Sequence, residues 1–170
     1  MQHAPALSYD RVPSPLGEIL VVTRAASVVG LDFADGEQRL KVLLSRRLGV
    51  LEYESVHDPL GLRSILAAYF SGDFAAFDGV TLDAGGTPFE ANAWRALRAI
   101  PAGKTRSYGE QARAVGAPRA VRAIGAANGR NPISIAIPCH RVIGANGTLT
   151  GYAGGIARKR WLLAHEGAIH

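Results

Sequence analysis

Residues 107–142 read SYGEQARAVGAPRAVRAIGAANGRNPISIAIPCHRV, and the rest of the chain is organised around them. Ser107 to Val115 and Arg119 to Asn128 carry helical patterns on either side of Gly116-Ala117-Pro118. Two short helices joined by a tight glycine-containing turn make a helix-turn-helix pattern. The second helix is narrow, because Ala120, Ala123, Gly125, Ala126 and Ala127 lie along it, with Arg119 and Arg122 at i, i+3. Small side chains of this kind serve either close helix packing or a smooth face pressed against a nucleic-acid groove. Asn131 to Pro138 then reads as a buried strand bounded by prolines, ending on Cys139, His140 and Arg141.

Cys139 is the only cysteine of the protein. A lone buried thiol is either inert filler, since free cysteine packs as a small hydrophobe, or a nucleophile. Reactivity belongs to the thiolate, which a proton-accepting or positive neighbourhood favours. His140 and Arg141 supply such neighbours, and the end of a strand is a natural place for exposure. One cysteine forms no internal disulfide and removes every multi-cysteine zinc framework, and the five histidines show no metal-ligand spacing. No metal and no cofactor are expected.

The 170 residues, 48% apolar and 19% charged, suit one or two small domains with a real core. The opening Met1-Gln2-His3-Ala4-Pro5 lacks an export pattern and no apolar run has the length of a membrane helix, so a soluble, cytoplasmic protein is expected. The net charge of +5 is sorted by position. Residues 1–87 hold 7 Lys+Arg against 11 Asp+Glu, whereas residues 88–170 hold 12 against 3. A basic half is either a solvated face or a surface for a polyanion. An excess of nine charges around a cysteine site favours the second, because phosphate neutralisation drives most nucleic-acid affinity.

In the first half, Leu7–Val12 and Glu18–Thr23 flank a Pro/Gly break at 13–17 and predict a hairpin, with Val28–Phe33 as a third strand. Helices are expected over 36–48 and from Pro59 to Phe70, the second burying Leu62, Ile65, Leu66, Tyr69 and Phe70, and a short strand at Val80-Thr81-Leu82. Asp32, Asp35 and Glu37 read as a solvated turn and helix start. Ala84-Gly85-Gly86-Thr87-Pro88 coincides with the change in charge and sets the boundary between domains at 1–85 and 86–170. Thr87 as N-cap, Pro88 at the first helical position and Glu90 form a capping-box start for a helix to about Ile100, burying Phe89, Ala93, Trp94, Leu97 and Ile100. Beyond the cysteine, Asn146-Gly147 predicts a hairpin turn, giving a winged-helix arrangement, and a last helix over 156–166 turns Trp161, Leu162 and Leu163 to the core.

A nucleophilic Cys139 needs a proton acceptor and a group to orient it. On a strand neighbouring residues point to opposite faces, so adjacency does not guarantee contact of His140 with the thiol, and a bridging water would link them. Glu166, one of three acids in the second half, is either a surface acid near a helix C-terminus or the partner that holds the imidazole in one tautomer.

These motifs carry a resemblance. Asn131-Pro132, Pro138-Cys139-His140-Arg141-Val142-Ile143 and Gly151-Tyr152-Ala153-Gly154-Gly155 resemble the active-site segment of the O6-alkylguanine-DNA alkyltransferases of bacterial type. Ser14-Pro15-Leu16-Gly17, Tyr69-Phe70-Ser71-Gly72, Gly86-Thr87-Pro88-Phe89 with Trp94, and Ser107-Tyr108-Gly109-Glu110 extend the likeness over nearly the whole chain. The resemblance implies a ribonuclease-H-like α/β domain followed by a winged-helix domain. It also implies a single-turnover enzyme that moves the alkyl group of O6-alkylguanine, and of O4-alkylthymine, in double-stranded DNA irreversibly to Cys139.

In that picture a Cys139–water–His140–Glu166 relay removes the thiol proton and Asn131 braces the turn before the cysteine. Tyr108 lies by the everted nucleotide, and Arg122 enters the stack in its place from the minor groove. Tyr152, Ala153 and Gly154 wall the pocket, and Ser107 and Val142 join the residues that contact DNA and substrate. A monomer is expected, with clustering along DNA. Ala153 stands where many members have serine, which removes a hydroxyl contact but leaves the backbone one. A non-enzymatic lesion-binding relative, which typically lacks the cysteine, and an ordinary winged-helix regulator with a structural cysteine are the competing readings.

Overall fold

The computed structural model describes residues 6–170; Met1–Pro5, where the export reading fell, lie outside them. The chain divides into two compact units, Met1–Gly85 and Gly86–His170.

In the first unit Ala6–Val12 (β1), Ile19–Arg24 (β2) and Ser27–Phe33 (β3) form an antiparallel meander. The first reversal is the expected Pro/Gly break, closed by Gly17 N donating to Ser14 O at 3.1 Å. Glu37–Leu48 (α1) follows, and Glu52–Ser55 (β4) returns parallel to β1, giving the sheet order β3-β2-β1-β4. Leu40 and Leu44 of α1 pack on Leu7, Leu20, Val22 and Val29 of the sheet. Alternating residues on the opposite sheet face, Ile19, Val21 and Leu31, are also fully buried. A short 3-10 turn at Pro59–Gly61 leads into Leu62–Phe70 (α2).

One element of this unit is new and three expectations change. The strand β4 was not foreseen, because Glu-Tyr-Glu-Ser has no apolar alternation; its pairing with β1 is what makes it a strand. Val80-Thr81-Leu82 contributes only a single bridge, Val28 to Leu82. Along α2, Leu62, Leu66 and Tyr69 are buried while Ile65 and Phe70 are half-buried. Asp32 is not solvated: it is 3% exposed and accepts from Arg39 at 2.9 Å. Burial pushes its carboxyl pKa up, and Arg39 opposes that.

In the second unit Pro88–Arg98 (α3), Tyr108–Ala114 (α4) and Val121–Gly129 (α5) pack together, and Ile156–His165 (α6) closes the chain. The Thr87 capping box forms as expected, with Glu90 N to Thr87 Oγ1 at 3.2 Å and Thr87 N to Glu90 Oε1 at 3.0 Å. Ser107 and Glu110 make the same device at the start of α4. Ala93, Trp94 and Leu97 are buried on α3, with Phe89 half-buried. Buried amides lock the helices: Gln111 and Asn128 exchange hydrogen bonds at 2.9 and 2.8 Å. Trp94 Nε1 donates to Ala127 O at 2.9 Å.

Here too the structure corrects the sequence. The helix α5 begins at Val121, so Arg119 lies in the preceding turn rather than on the helix with Arg122. Residues 131–138 are not a strand. The Asn131 side chain donates to Ile137 O at 2.8 Å and accepts from Ile133 N at 3.0 Å, curling the segment on itself. Ile135 takes a φ of +70° within that curl. Cys139–Arg141 is a 3-10 turn, after which Val142–Ile143 (β6) pairs parallel with Arg106–Ser107 (β5).

The Asn146-Gly147 turn closes through Gly144 N to Thr148 O at 2.8 Å, but no strand returns from it among the described residues. Leu162 and Leu163 are buried on α6, whereas Trp161 is half-buried and stacks on His165. No helix among the described residues is long and apolar enough to cross a membrane.

Candidate active site

Cys139 opens the 3-10 turn and is half-buried. Successive residues of a 3-10 helix lie about 120° apart, so His140 is not thrown to the opposite face as it would be on a strand. Its ring is fully buried, with Nε2 at 2.9 Å from Glu166 Oε2. Glu166 caps the C-terminus of α6 and is 6% exposed. The surface-acid reading of this residue fails because Arg141 also closes on it, Nε to Oε1 at 2.8 Å and Nη2 to Oε2 at 2.9 Å. The third arm, Nη1, reaches Ile100 O at 2.6 Å.

The charges follow from this geometry. Burial opposes ionisation of Glu166, but the His140 and Arg141 hydrogen bonds outweigh it and hold the carboxyl pKa at about 2. Burial lowers the His140 pKa, against the pull of Glu166. A neutral imidazole facing a carboxylate carries its proton on Nε2. Nδ1 is then an acceptor, and it is buried with no protein hydrogen-bond partner among the described residues. The arrangement is a neutral base, held in one tautomer by an ionised carboxylate, next in sequence to a thiol.

Lys159 is the residue that sequence reading missed. It is fully buried on α6, and Nζ donates to Val142 O at 2.5 Å and Thr150 O at 2.8 Å. Burial lowers its pKa to about 8, and the nearby Cys139 sulfur acts in the opposite direction. Thr150 O also accepts from Tyr108 Oη at 3.0 Å, and the ammonium sits 5.9 Å from the Tyr108 ring centroid. Its signal was positional: Lys159 shares the helical face of Leu162 and Leu163, where a lysine reaches the core only if carbonyls receive it.

The remaining candidates are distributed as follows. Asn131 is fully buried and braces the curl before Cys139. The Tyr152 ring lies edge-on to His140 at 6.5 Å. Ala153 is exposed and Gly154 half-buried in the loop that leads to α6. Val142 is buried and its carbonyl accepts from Lys159, while Ser107 caps α4. Arg122, Ala123 and Ala126 form an exposed face of α5, and a Cβ added at Gly125 or Gly129 would meet nothing within 4 Å. The small residues along that face are therefore not a packing device within the second unit. Among the described residues no group of His, Cys, Asp and Glu could hold a metal ion.

A two-unit α/β protein whose half-buried thiol is followed in sequence by a fixed imidazole–carboxylate pair has the groups that cysteine nucleophiles use. Known proteins make the class specific. Residues 88–168 match the DNA-binding domain of 6-O-methylguanine DNA methyltransferase. The methylated-DNA–protein-cysteine methyltransferase of Salmonella typhimurium is 48% identical over 94% of this chain and 95% of its own. That of Mycolicibacterium paratuberculosis is 45% identical over 94% and 92%. Among solved structures, Mycobacterium tuberculosis OGT in complex with DNA has a TM-score of 0.81 at 41% identity, covering 96% of this chain and 93% of that one. O6-methylguanine-DNA methyltransferase of Pyrococcus kodakaraensis has a TM-score of 0.71 at 28% identity, covering 95% and 99%. The chain belongs to the methylated-DNA–protein-cysteine methyltransferase family.

Proposed function

We propose that this protein repairs DNA by taking the alkyl group from O6-alkylguanine, and from O4-alkylthymine, onto Cys139 in a single irreversible turnover. The observation that carries this reading is the half-buried Cys139 beside a buried His140 whose Nε2 is held by Glu166 at 2.9 Å. The thiol proton passes through a water to Nδ1 of His140. The sulfur lone pair forms the S–C bond as the C–O6 bond breaks, and its electrons return to the guanine ring, which takes up one proton. A thioether has no ready leaving group, so the protein acts once.

The nucleotide must leave the duplex to be reached, at a cost of a few kcal/mol that is least for a poorly paired base. The exposed Arg122 and the smooth face formed by Ala123 and Ala126 fit a shallow approach in the minor groove, with the guanidinium filling the stack. Tyr108 donates to the extruded guanine or its phosphate in place of Thr150 O. The loop of Tyr152, Ala153 and Gly154 walls the pocket, with Ser107 and Val142 beside it. The first unit is read as ribonuclease-H-like from its order β3-β2-β1-β4 with β4 parallel to β1. The second is read as a helix-turn-helix domain of the winged-helix kind, with α4 and α5 as its helix pair and the turn at 144–148 in the place of the wing. The protein works as a monomer, clusters along DNA and resides in the cytoplasm.

Intact mass after incubation with O6-methylguanine duplex tests the proposal. The expected result is a gain of one CH2 on the peptide containing Cys139, none in Cys139→Ala, and retained DNA binding by that variant. An unchanged mass with damaged DNA bound would leave a lesion-binding or regulatory protein instead.

A further inference from the structure

The first unit holds a cavity that the transfer chemistry does not use, and its origin is topological. The helix α1 is about 10 Å wide, whereas four strands about 4.8 Å apart make a broader face. Leu40 and Leu44 cover the sheet over Leu7, Leu20, Val22 and Val29. On the β4 side, Tyr9, Arg11 and Tyr53 project from the same face, with Glu37 and Lys41 of α1 as the opposite wall. The space between them has a volume of about 350 Å³, within the range of small-molecule sites.

Its lining is selective. The Tyr53 hydroxyl is buried and has no protein hydrogen-bond partner among the described residues. Burial, together with the charge of Glu37, raises its pKa, so it remains a donor. Glu37 is the single carboxylate, and two cations already engage it, Arg11 at 2.7 Å and Lys41 at 3.6 Å. Donors therefore outnumber acceptors and one positive charge is in excess. The rings of Tyr9 and Tyr53 meet edge to face at 6.4 Å, and Lys41 Nζ lies 5.5 Å from the Tyr53 centroid. Leu20 and Val22 supply apolar surface.

We propose that this cavity binds a small planar aromatic anion, its ring against Tyr9 and Tyr53 and its carboxylate or phosphate monoester accepting from Tyr53, Lys41 and Arg11. The site is independent of alkyl transfer at Cys139. A buried phenol donor costs free energy unless an acceptor meets it, and an anionic head group meets it while balancing the charge.

The test is a titration of the full ¹⁵N-labelled chain followed by amide shifts, with indole-3-acetate as the carboxylate probe and adenosine 5′-monophosphate as the phosphate probe. Saturable shifts confined to residues 9–11, 20–22, 37–41 and 53 are expected with one of them, which identifies the head group. Tyr53→Phe, nearly isosteric and therefore folded, is expected to weaken binding about tenfold by removing one charge-assisted hydrogen bond. Lys41→Gln should weaken it as well, and Arg122→Ala should leave it and the shift pattern unchanged. No saturation at those residues by either probe up to tens of millimolar, or equal affinity in Tyr53→Phe, overturns the proposal and leaves a hydrated pocket. Because alkyl transfer is read separately by mass, failure here does not touch the proposed repair activity.

Discussion

Replacing Glu166 by Gln keeps the shape of the side chain and removes the charge on which the site is built. Three donors converge on its two oxygens, from His140 Nε2 and from Arg141 Nε and Nη2. A carboxamide offers one oxygen, so its NH2 must face either Arg141 Nε or the His140 and Arg141 Nη2 pair. In both orientations a buried donor meets a donor and the guanidinium loses its counter-charge. Breaking a buried pair by removing one partner costs about 3–5 kcal/mol.

The lowered pKa of the same carboxylate gives a second figure from the same contacts. Its folded pKa of about 2 lies below the ordinary 4.5, so its contribution is complete above pH 4.5 and is lost as pH falls toward 2. The shift corresponds to about 3 kcal/mol. Both tryptophans, Trp94 and Trp161, lie in the second unit, so tryptophan fluorescence in urea reports the unfolding of that unit directly. We expect Glu166→Gln to lose about 3 kcal/mol at pH 7 and to lose stability less steeply than the parent between pH 4.5 and 2. Transfer should also slow by about 10²–10⁴, the usual worth of a positioned general base. A loss under about 1 kcal/mol, the size of an ordinary hydrogen bond, or an unchanged acid profile would refute the account of the site.

Other outcomes follow from the same geometry. Arg122→Ala should weaken binding to O6-methylguanine duplex more than to undamaged duplex in fluorescence anisotropy; equal losses would remove its assigned role in the stack. Gln111→Ala strands the Asn128 amide in the core and should destabilise the second unit by about 2 kcal/mol in urea, while Thr87→Ala should cost about 1 kcal/mol through its capping box. The pKa of Lys159 falls from 10.5 to about 8 on folding, so the unfolded chain binds the extra proton between those values. The parent should therefore gain stability relative to Lys159→Met as pH rises from 8 to 10.5, and parallel curves would show that the lysine is not buried as a cation.

The parts of the fold legible in the sequence were those specified by local chemistry. The Thr87 capping box, the hairpin break at 13–17 and the apolar periods of α1, α3 and α6 depend on residues within a few positions of one another, and the structure has them. Asn131 to Pro138 was misread because an apolar run bounded by prolines suits a strand equally well, and only the two bonds of the Asn131 side chain bend it into a curl. The strand β4 was invisible because its polar sequence has no strand signal of its own. Arg119 was set on α5 because nothing local marks that helix's first turn; its N-cap, Ala120, makes no side-chain hydrogen bond.

At the site, the motif and the resemblance it carries named the thiol, the imidazole and the carboxylate, since the types and spacings of those residues are themselves the signal. By itself the amino-acid sequence thus named the candidate nucleophile, the basic half that carries it and the starts of α3 and α4. Only the tertiary structure decided that Arg141 is the second partner of Glu166, that Lys159 is buried on two carbonyls, and that Tyr53 opens onto a cavity. The physical reason is distance along the chain. A cap or a turn is stabilised by neighbours in sequence, whereas burial and ion pairing across 17 or 25 residues, as for Lys159 to Val142 and Arg141 to Glu166, exist only once the chain has packed.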